Sequence, residues 1–249
     1  MGNSVISHLF EGGPEGCLLL HGFSGSPLEM VPMAEALARE GWTVAVAELA
    51  GHSSPRALAQ VTAADWLHSA ATAYDELSAR CTRTAIVGLS MGGAVALSLA
   101  PSFHPAAIVT ISTPVRMKRL IARASRIASR LVPYLPVLMK LGPRERAMRA
   151  YRSPTRRIPL RATQQVEYLL GVMRDALPRV TVPVLIAQGR RDWVIPRESA
   201  QEIRTLASHA ATTVLWLPRS GHVATLDRDR EMLFSEVLAF LRTHLRSGR

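Results

Sequence analysis

Gly88-Leu89-Ser90-Met91-Gly92 places a serine between two glycines in the pattern G-x-S-x-G. Composition alone would produce such a match in roughly one chain in ten of this length, so the flanking residues decide its meaning. Residues 84–88 read as a buried strand, and 90–100 (SMGGAVALSLA) as a helix of small residues. Strand, tight turn and helix is the setting in which this pattern carries a nucleophile. The turn imposes unusual dihedrals, so close neighbours must lack a Cβ, and Gly88 and Gly92 meet that need. It also aims the hydroxyl toward a helix N-terminus, whose dipole favours a developing negative charge. The bland alternative is a glycine-rich turn with an incidental serine.

A serine hydroxyl is a poor nucleophile until a base removes its proton. The histidines are His8, His21, His52, His68, His104, His209, His222 and His244. Sheets with such an elbow present their groups in the chain order serine, acid, histidine. His209 and His244 fall in predicted helices, whereas His222, in WLPRSGHVATLD, follows the apolar run 212–218 in a Ser-Gly turn. His222 is therefore the candidate base. The acid should follow the preceding run, VPVLIAQG, and Asp192 is the only carboxylate in the loop RRDWVIP. It would hold the imidazole in one tautomer and stabilise the imidazolium; the alternative is a surface Asp paired with Arg190 or Arg191. Backbone N–H groups of Phe23, in HGFSG, and of Met91 are the candidate oxyanion donors. His21 and His52 read as loop anchors, and Asp65 as a helix cap.

These groups need a sheet to present them. Apolar runs at 17–22, 42–49, 84–90, 106–113, 182–189 and 212–218 are rich in Val, Ile and Leu without alternation, as parallel strands covered on both faces require. Helical patterns lie at 27–40, 63–79, 90–100, 196–207 and 229–246. Strands alternating with helices predict an α/β chain with a mostly parallel, doubly wound sheet. From Pro114 to about Pro178 only helices, prolines and arginines are predicted. Residues 115–180 therefore read as an inserted helical cap over the binding crevice of a single domain spanning 1–249.

The chain has 249 residues, enough to bury a substantial core, and 48% are apolar, which suits a globular protein. No apolar run is long enough to cross a membrane, and the N-terminus lacks the pattern of a secretory signal and misses a myristoylation signal at Ile6. Cys17 and Cys81 open or precede buried strands, so a disulfide is not expected and a cytoplasmic setting is. Net charge is +11, but 16 Lys and Arg against 3 acids lie between Val115 and Val180, and the remainder holds 14 against 16. All the excess belongs to the cap.

Taken together, HGFSGSP, AGHSSP, ADWL, GLSMGG, RRDWVIP and SGHVATLD resemble the bacterial monoacylglycerol lipases and the related small bacterial carboxylesterases of the α/β-hydrolase superfamily. The resemblance covers about 17–114 and 177–241. It implies an α/β-hydrolase fold with the helical cap inserted after the sixth core strand. It also implies a catalytic Ser90, Asp192 and His222, oxyanion donors Phe23 and Met91, and hydrolysis of acyl esters without metal or organic cofactor. Relatives in the lipase branch use a cap carboxylate near the glycerol headgroup; Glu145 is the only acid between Pro114 and Val166 and is not assigned to the site. Dehalogenases and epoxide hydrolases of this fold place an aspartate where Ser90 stands.

Rival functions are a general short- or medium-chain carboxylesterase and, from another class, a small-molecule receptor on a hydrolase fold. Within the cap, Arg116, Arg119, Arg123, Arg126 and Arg130 recur at helical spacing beside an apolar face. That is either a solvated face or a surface for anionic membrane, where each arginine contributes about 1 kcal/mol. Nucleic acid is not expected as a partner, because no binding module is present.

Overall fold

The computed structural model describes residues 5–117, 132–136 and 147–245. Its strands are β1 (Ile6–Phe10), β2 (Glu15–Leu20), β3 (Thr43–Ala47), β4 (Arg83–Leu89), β5 (Ile108–Ile111), β6 (Tyr134–Pro136), β7 (Arg157–Pro159), β8 (Val184–Gly189) and β9 (Thr212–Leu217). Seven form one sheet in the order β1-β3-β2-β4-β5-β8-β9. β1 is antiparallel to β3 and every other pair in this sheet is parallel. The helices are α1 (Val31–Arg39), α2 (Pro55–Leu58), α3 (Ala63–Ser78), α4 (Met91–Phe103), α5 (Leu160–Ala176), α6 (Glu198–Leu206) and α7 (Arg230–Leu245).

The strands lack alternation because both faces are covered. Leu18 and Leu20 pack with Ala45 and Ile86 beneath α3, α4, α5 and α6. Their neighbours Cys17 and Leu19 point the other way, to Val44, Val46 and Val87 beneath α1 and α7. Burying each Leu or Val side chain contributes roughly 1.5–3 kcal/mol, so a one-residue slip in register would exchange two full apolar layers. Thr62 and Asp65 cap α3 reciprocally: Asp65 Oδ2 accepts from Thr62 N–H at 2.8 Å, and Thr62 Oγ1 from Asp65 N–H at 3.4 Å. Both cysteines are free, and among the described residues no helix is long and apolar enough to cross a membrane.

The structure departs from the sequence reading in three places. Ile6–Phe10, unassigned from sequence, is an edge strand whose burial alternates; five residues exposed on alternate positions give too short a pattern to read. The insertion between β5 and β8 follows the fifth sheet strand in chain order, not the sixth, because the described residues ahead of Glu15 supply a single strand. Within that insertion, where only helices were expected, Tyr134–Pro136 pairs antiparallel with Arg157–Pro159. Its terminal helix, α5, packs Leu169, Leu170 and Met173 into the layer that holds Val95 and Leu99 of α4. The arginine-striped helix expected over 116–130 lies outside the described residues from 118 onward. Arg116 itself pairs with Glu202 on α6 at 2.7 Å.

Candidate active site

Ser90 sits in the tight turn between β4 and α4 with φ 55° and ψ −113°, a backbone region that costs a non-glycine residue on the order of 1–3 kcal/mol. The turn closes only because its neighbours are bare. A Cβ on Gly88 would lie 2.3 Å from backbone atoms of Gly92 and Gly93. One on Gly92 would lie 2.3 Å from the Leu20 carbonyl at the end of β2. Main-chain support comes from β5, where the Ile111 carbonyl accepts from Ser90 N–H at 2.7 Å.

His222 lies across from this turn, beyond β9. Its Nε2 is 3.1 Å from Ser90 Oγ and its Nδ1 is 2.9 Å from Asp192 Oδ2. A carboxylate can only accept, so Nδ1 carries the proton, and Nε2 is left with a free lone pair facing the serine hydroxyl. Asp192 is buried. Its Oδ1 accepts from the N–H groups of Val194 and Ile195 at 2.9 and 3.0 Å, and Gln188 Nε2 donates to Oδ2 at 3.3 Å. Burial pushes this carboxyl up, but the His222 hydrogen bond, the imidazole charge and the two amides outweigh it, so Asp192 titrates below the ordinary aspartate value.

The loops carrying the acid and the histidine are tied to each other. Arg191 N–H donates to the Ser220 carbonyl at 3.0 Å, and a Cβ on Gly189 would lie 2.6 Å from the Ser220 and Gly221 carbonyls. The histidine turn is braced from below. Asp227 Oδ2 accepts from Gly221 N–H at 2.8 Å, while Asp229 Oδ2 accepts from Arg219 N–H at 2.7 Å and Ser220 Oγ at 3.0 Å. Sequence reasoning gave Asp227 and Asp229 no role, though two acids just past a Ser-Gly-His turn are the available signal.

The remaining wall is the loop after β2. A Cβ on Gly22 would stand 3.3 Å from Ser90 Cβ, so this loop runs directly against the serine. Phe23 follows, its ring edge-on to His52 and Trp66, and Met91 opens α4 immediately after Ser90. His21 accepts Leu49 N–H at Nε2 (3.1 Å) and contacts the Gly22 carbonyl through Nδ1 (2.9 Å), which anchors two loops with one ring. Burial, with the neighbouring His52 adding to it, lowers its pKa to about 3. A ring held neutral in this way is spent on architecture.

Two further contacts were invisible in the sequence. Glu29, in the helical turn Pro27–Met30, is buried, and its Oε1 accepts from Ser153 N–H of the insertion at 3.4 Å. Burial raises its carboxyl to about 7, against the opposing pull of the Ser153 and Ser26 amides, His222 and Arg152. Ser153 Oγ in turn donates to the Ser24 carbonyl at 2.9 Å. Nothing in the local pattern of either segment announces these contacts. Among the described residues no group of His, Cys, Asp and Glu is arranged to hold a metal ion.

The arrangement can pass a proton from a hydroxyl to an imidazole backed by a carboxylate. Known proteins resemble this chain over nearly its whole length. A 33% identical relative over 94% of this chain and 93% of its own length is the thermostable monoacylglycerol lipase of Bacillus sp. (strain H-257). The carboxylesterase of Bacillus subtilis (strain 168) is 26% identical over 93% of this chain and 94% of its own. A solved structure of the metagenome-derived lipolytic enzymes LipS and LipT superposes with a TM-score of 0.88 at 33% identity, covering 97% of this chain and 99% of that one. The model of the alpha/beta hydrolase family matches residues 17–233, and with that span and those relatives the chain belongs to the alpha/beta hydrolase family.

Proposed function

We propose that this chain is a serine ester hydrolase that cleaves monoacylglycerols to fatty acid and glycerol. Ser90 is the nucleophile, His222 its base, Asp192 the group that orients His222, and the amides of Phe23 and Met91 the oxyanion donors. The observation that carries the reading is the imidazole of His222 bridging Ser90 Oγ and Asp192 Oδ2 at 3.1 and 2.9 Å.

On this reading Ser90 attacks the ester carbonyl as His222 takes its proton, and the carbonyl oxygen moves onto the two amides. Asp192, kept ionised by its donors, offsets the positive charge that develops on His222. The alcohol leaves with the proton from His222, and water, activated by the same base, cleaves the acyl-enzyme. No step calls on a metal or an organic cofactor.

The monoacylglycerol assignment is supported by the 33% likeness to the Bacillus lipase. A general short- or medium-chain carboxylesterase is the second reading, favoured by the likeness to the B. subtilis enzyme. Residues 115–180 act, on this reading, as a cap on a single hydrolase domain. Their concentration of arginine suits peripheral contact with anionic membrane from a cytoplasmic location, to which the two free cysteines also point. A panel of acyl esters of increasing length, run beside monoacylglycerols and diacylglycerols, separates the two substrate readings. Hydrolysis of none of them above a Ser90→Ala control would leave a receptor on a hydrolase fold.

A further inference from the structure

Residues 146–166 contain six arginines and no acid. The helical turn Ala147–Tyr151 is of the 3₁₀ type, and Arg152, the next residue, continues its i to i+3 pattern by donating its N–H to the Arg149 carbonyl at 3.3 Å. Pro154 then redirects the chain and brings Arg156 back toward them. Together with Ser153 and Thr155 these arginines line a cavity of about 240 Å³, room for several waters. Arg149 and Arg156 are exposed, and Arg152, Ser153 and Thr155 half-buried. Ion pairs among the described residues engage Arg80, Arg116, Arg219, Arg230 and Arg242, and none engages Arg149, Arg152 or Arg156. Three guanidinium groups around one concavity repel one another unless an anion joins them.

The cavity borders the ester site. Ser153, one of its walls, donates to the carbonyl of Ser24, the residue next to Phe23. Arg152 lies close enough to influence Glu29, which also feels His222. Glu29 is itself committed to the amides of Ser153 and Ser26. Its raised pKa leaves a share of it uncharged at neutral pH. Among the described residues that line the cavity, only these guanidinium groups carry charge.

We infer that Arg149, Arg152 and Arg156, with the hydroxyls of Ser153 and Thr155, form a phosphate-binding site that receives the phosphate of an acyl ester whose alcohol is phosphorylated. The planar fork of arginine suits phosphate oxygens in pairs. Ser153 joins the concavity to the loop that carries Phe23, so a phosphate held there is a group attached to the ester at that end. This inference rests on the ester-hydrolase reading for its substrate, though not for its phosphate.

The test compares 1-hexanoylglycerol with 1-hexanoylglycerol 3-phosphate, both monomeric in solution, in the wild type and in the double variant Arg149→Gln/Arg156→Gln. The side chains replaced are exposed, and circular dichroism checks the fold. The ratio of kcat/KM for the phosphorylated ester over the neutral one should fall by roughly tenfold or more in the variant. Inorganic phosphate should raise KM for the phosphorylated ester in the wild type. A second arm titrates inorganic phosphate calorimetrically into Ser90→Ala, with and without the two arginine changes. Saturable binding lost with the arginines, beside an unmoved ratio, would keep the phosphate site and assign it to free phosphate. An unmoved ratio with no phosphate binding overturns the site. Absence of turnover of both esters, with phosphate binding intact, overturns the hydrolase reading instead.

Discussion

Ser153 donates its hydroxyl hydrogen to the carbonyl of Ser24 across 129 residues of chain, at 2.9 Å. Ser24 holds a left-handed backbone with φ 54°, which a non-glycine residue keeps only when its surroundings impose it. The insertion thereby grips the loop that carries Phe23, so the position of this proposed oxyanion donor depends on a segment far away in sequence.

Ser153→Ala should release that grip. Because misplacement of a positioning group by about 1 Å can cost 10²-fold, kcat on a soluble acyl ester is expected to fall by about tenfold, with KM changing less. Ser153→Thr, which keeps the hydroxyl, should recover much of the loss. Equal kcat for the alanine variant and the wild type would remove Ser153 from this role.

Replacing Ser90 by Ala should cost on the order of 10⁶ in kcat, and Asp192→Asn about 10⁴, since the amide no longer enforces the Nδ1–H tautomer. Thermal melting of Ser90→Ala should match or exceed that of the wild type, because the substitution removes only a hydroxyl from a strained turn. Steady-state rates on a chromogenic ester, beside a melting curve, check both statements.

Glu29 gives a signed pH effect. Its folded-state pKa, raised by burial to about 7 from an ordinary 4.5, means that folding favours the protonated form. The associated stability is present below about pH 4.5 and is lost as pH rises through 7. Relative to Glu29→Gln, which does not titrate, the wild type should lose up to about 3 kcal/mol between pH 4.5 and pH 8. Urea unfolding of both proteins across this range measures it, and parallel curves would refute the ionisation of Glu29 in this window.

Gly88→Ala and Gly92→Ala each drive a Cβ to 2.3 Å from backbone atoms, where no flexible side chain can give way. Each should destabilise the fold by about 3 kcal/mol or more, or displace the turn. Gly171→Ala on α5, where a new Cβ meets only the Arg174 guanidinium at 3.7 Å, should be neutral or stabilise by up to about 1 kcal/mol. Chemical denaturation midpoints of the three variants separate steric from propensity effects.

If the arginine-rich insertion contacts membrane, sedimentation with vesicles should rise with the fraction of anionic lipid and fall as salt increases. Equal binding to neutral and anionic vesicles at every salt concentration would exclude that partner.

Much of this protein was legible in one dimension. The serine elbow is local: a strand, a turn and a helix whose glycines are adjacent in sequence, so its geometry follows from neighbours. Asp192 and His222 could be found because parallel strands deliver their C-terminal loops to one edge, which makes chain order a guide to position. The double coverage of the sheet was written in runs such as CLLL and TAIV, whose two faces are equally apolar.

Other features were decided only when distant segments met. Glu29 looks like any helix-opening acid until the chain folds Ser153 against it. Asp227 and Asp229 acquire meaning from the turn they support, and Ile6–Phe10 becomes a strand only because β3 offers an edge. Hydrogen bonds and burial in such places depend on which surfaces the topology brings within 3 Å, and no periodicity along the chain encodes that distance. Residue types and spacing therefore specified what chemistry this chain can hold. Packing decided which side chains hold the chemical groups still and which arginines face a shared cavity.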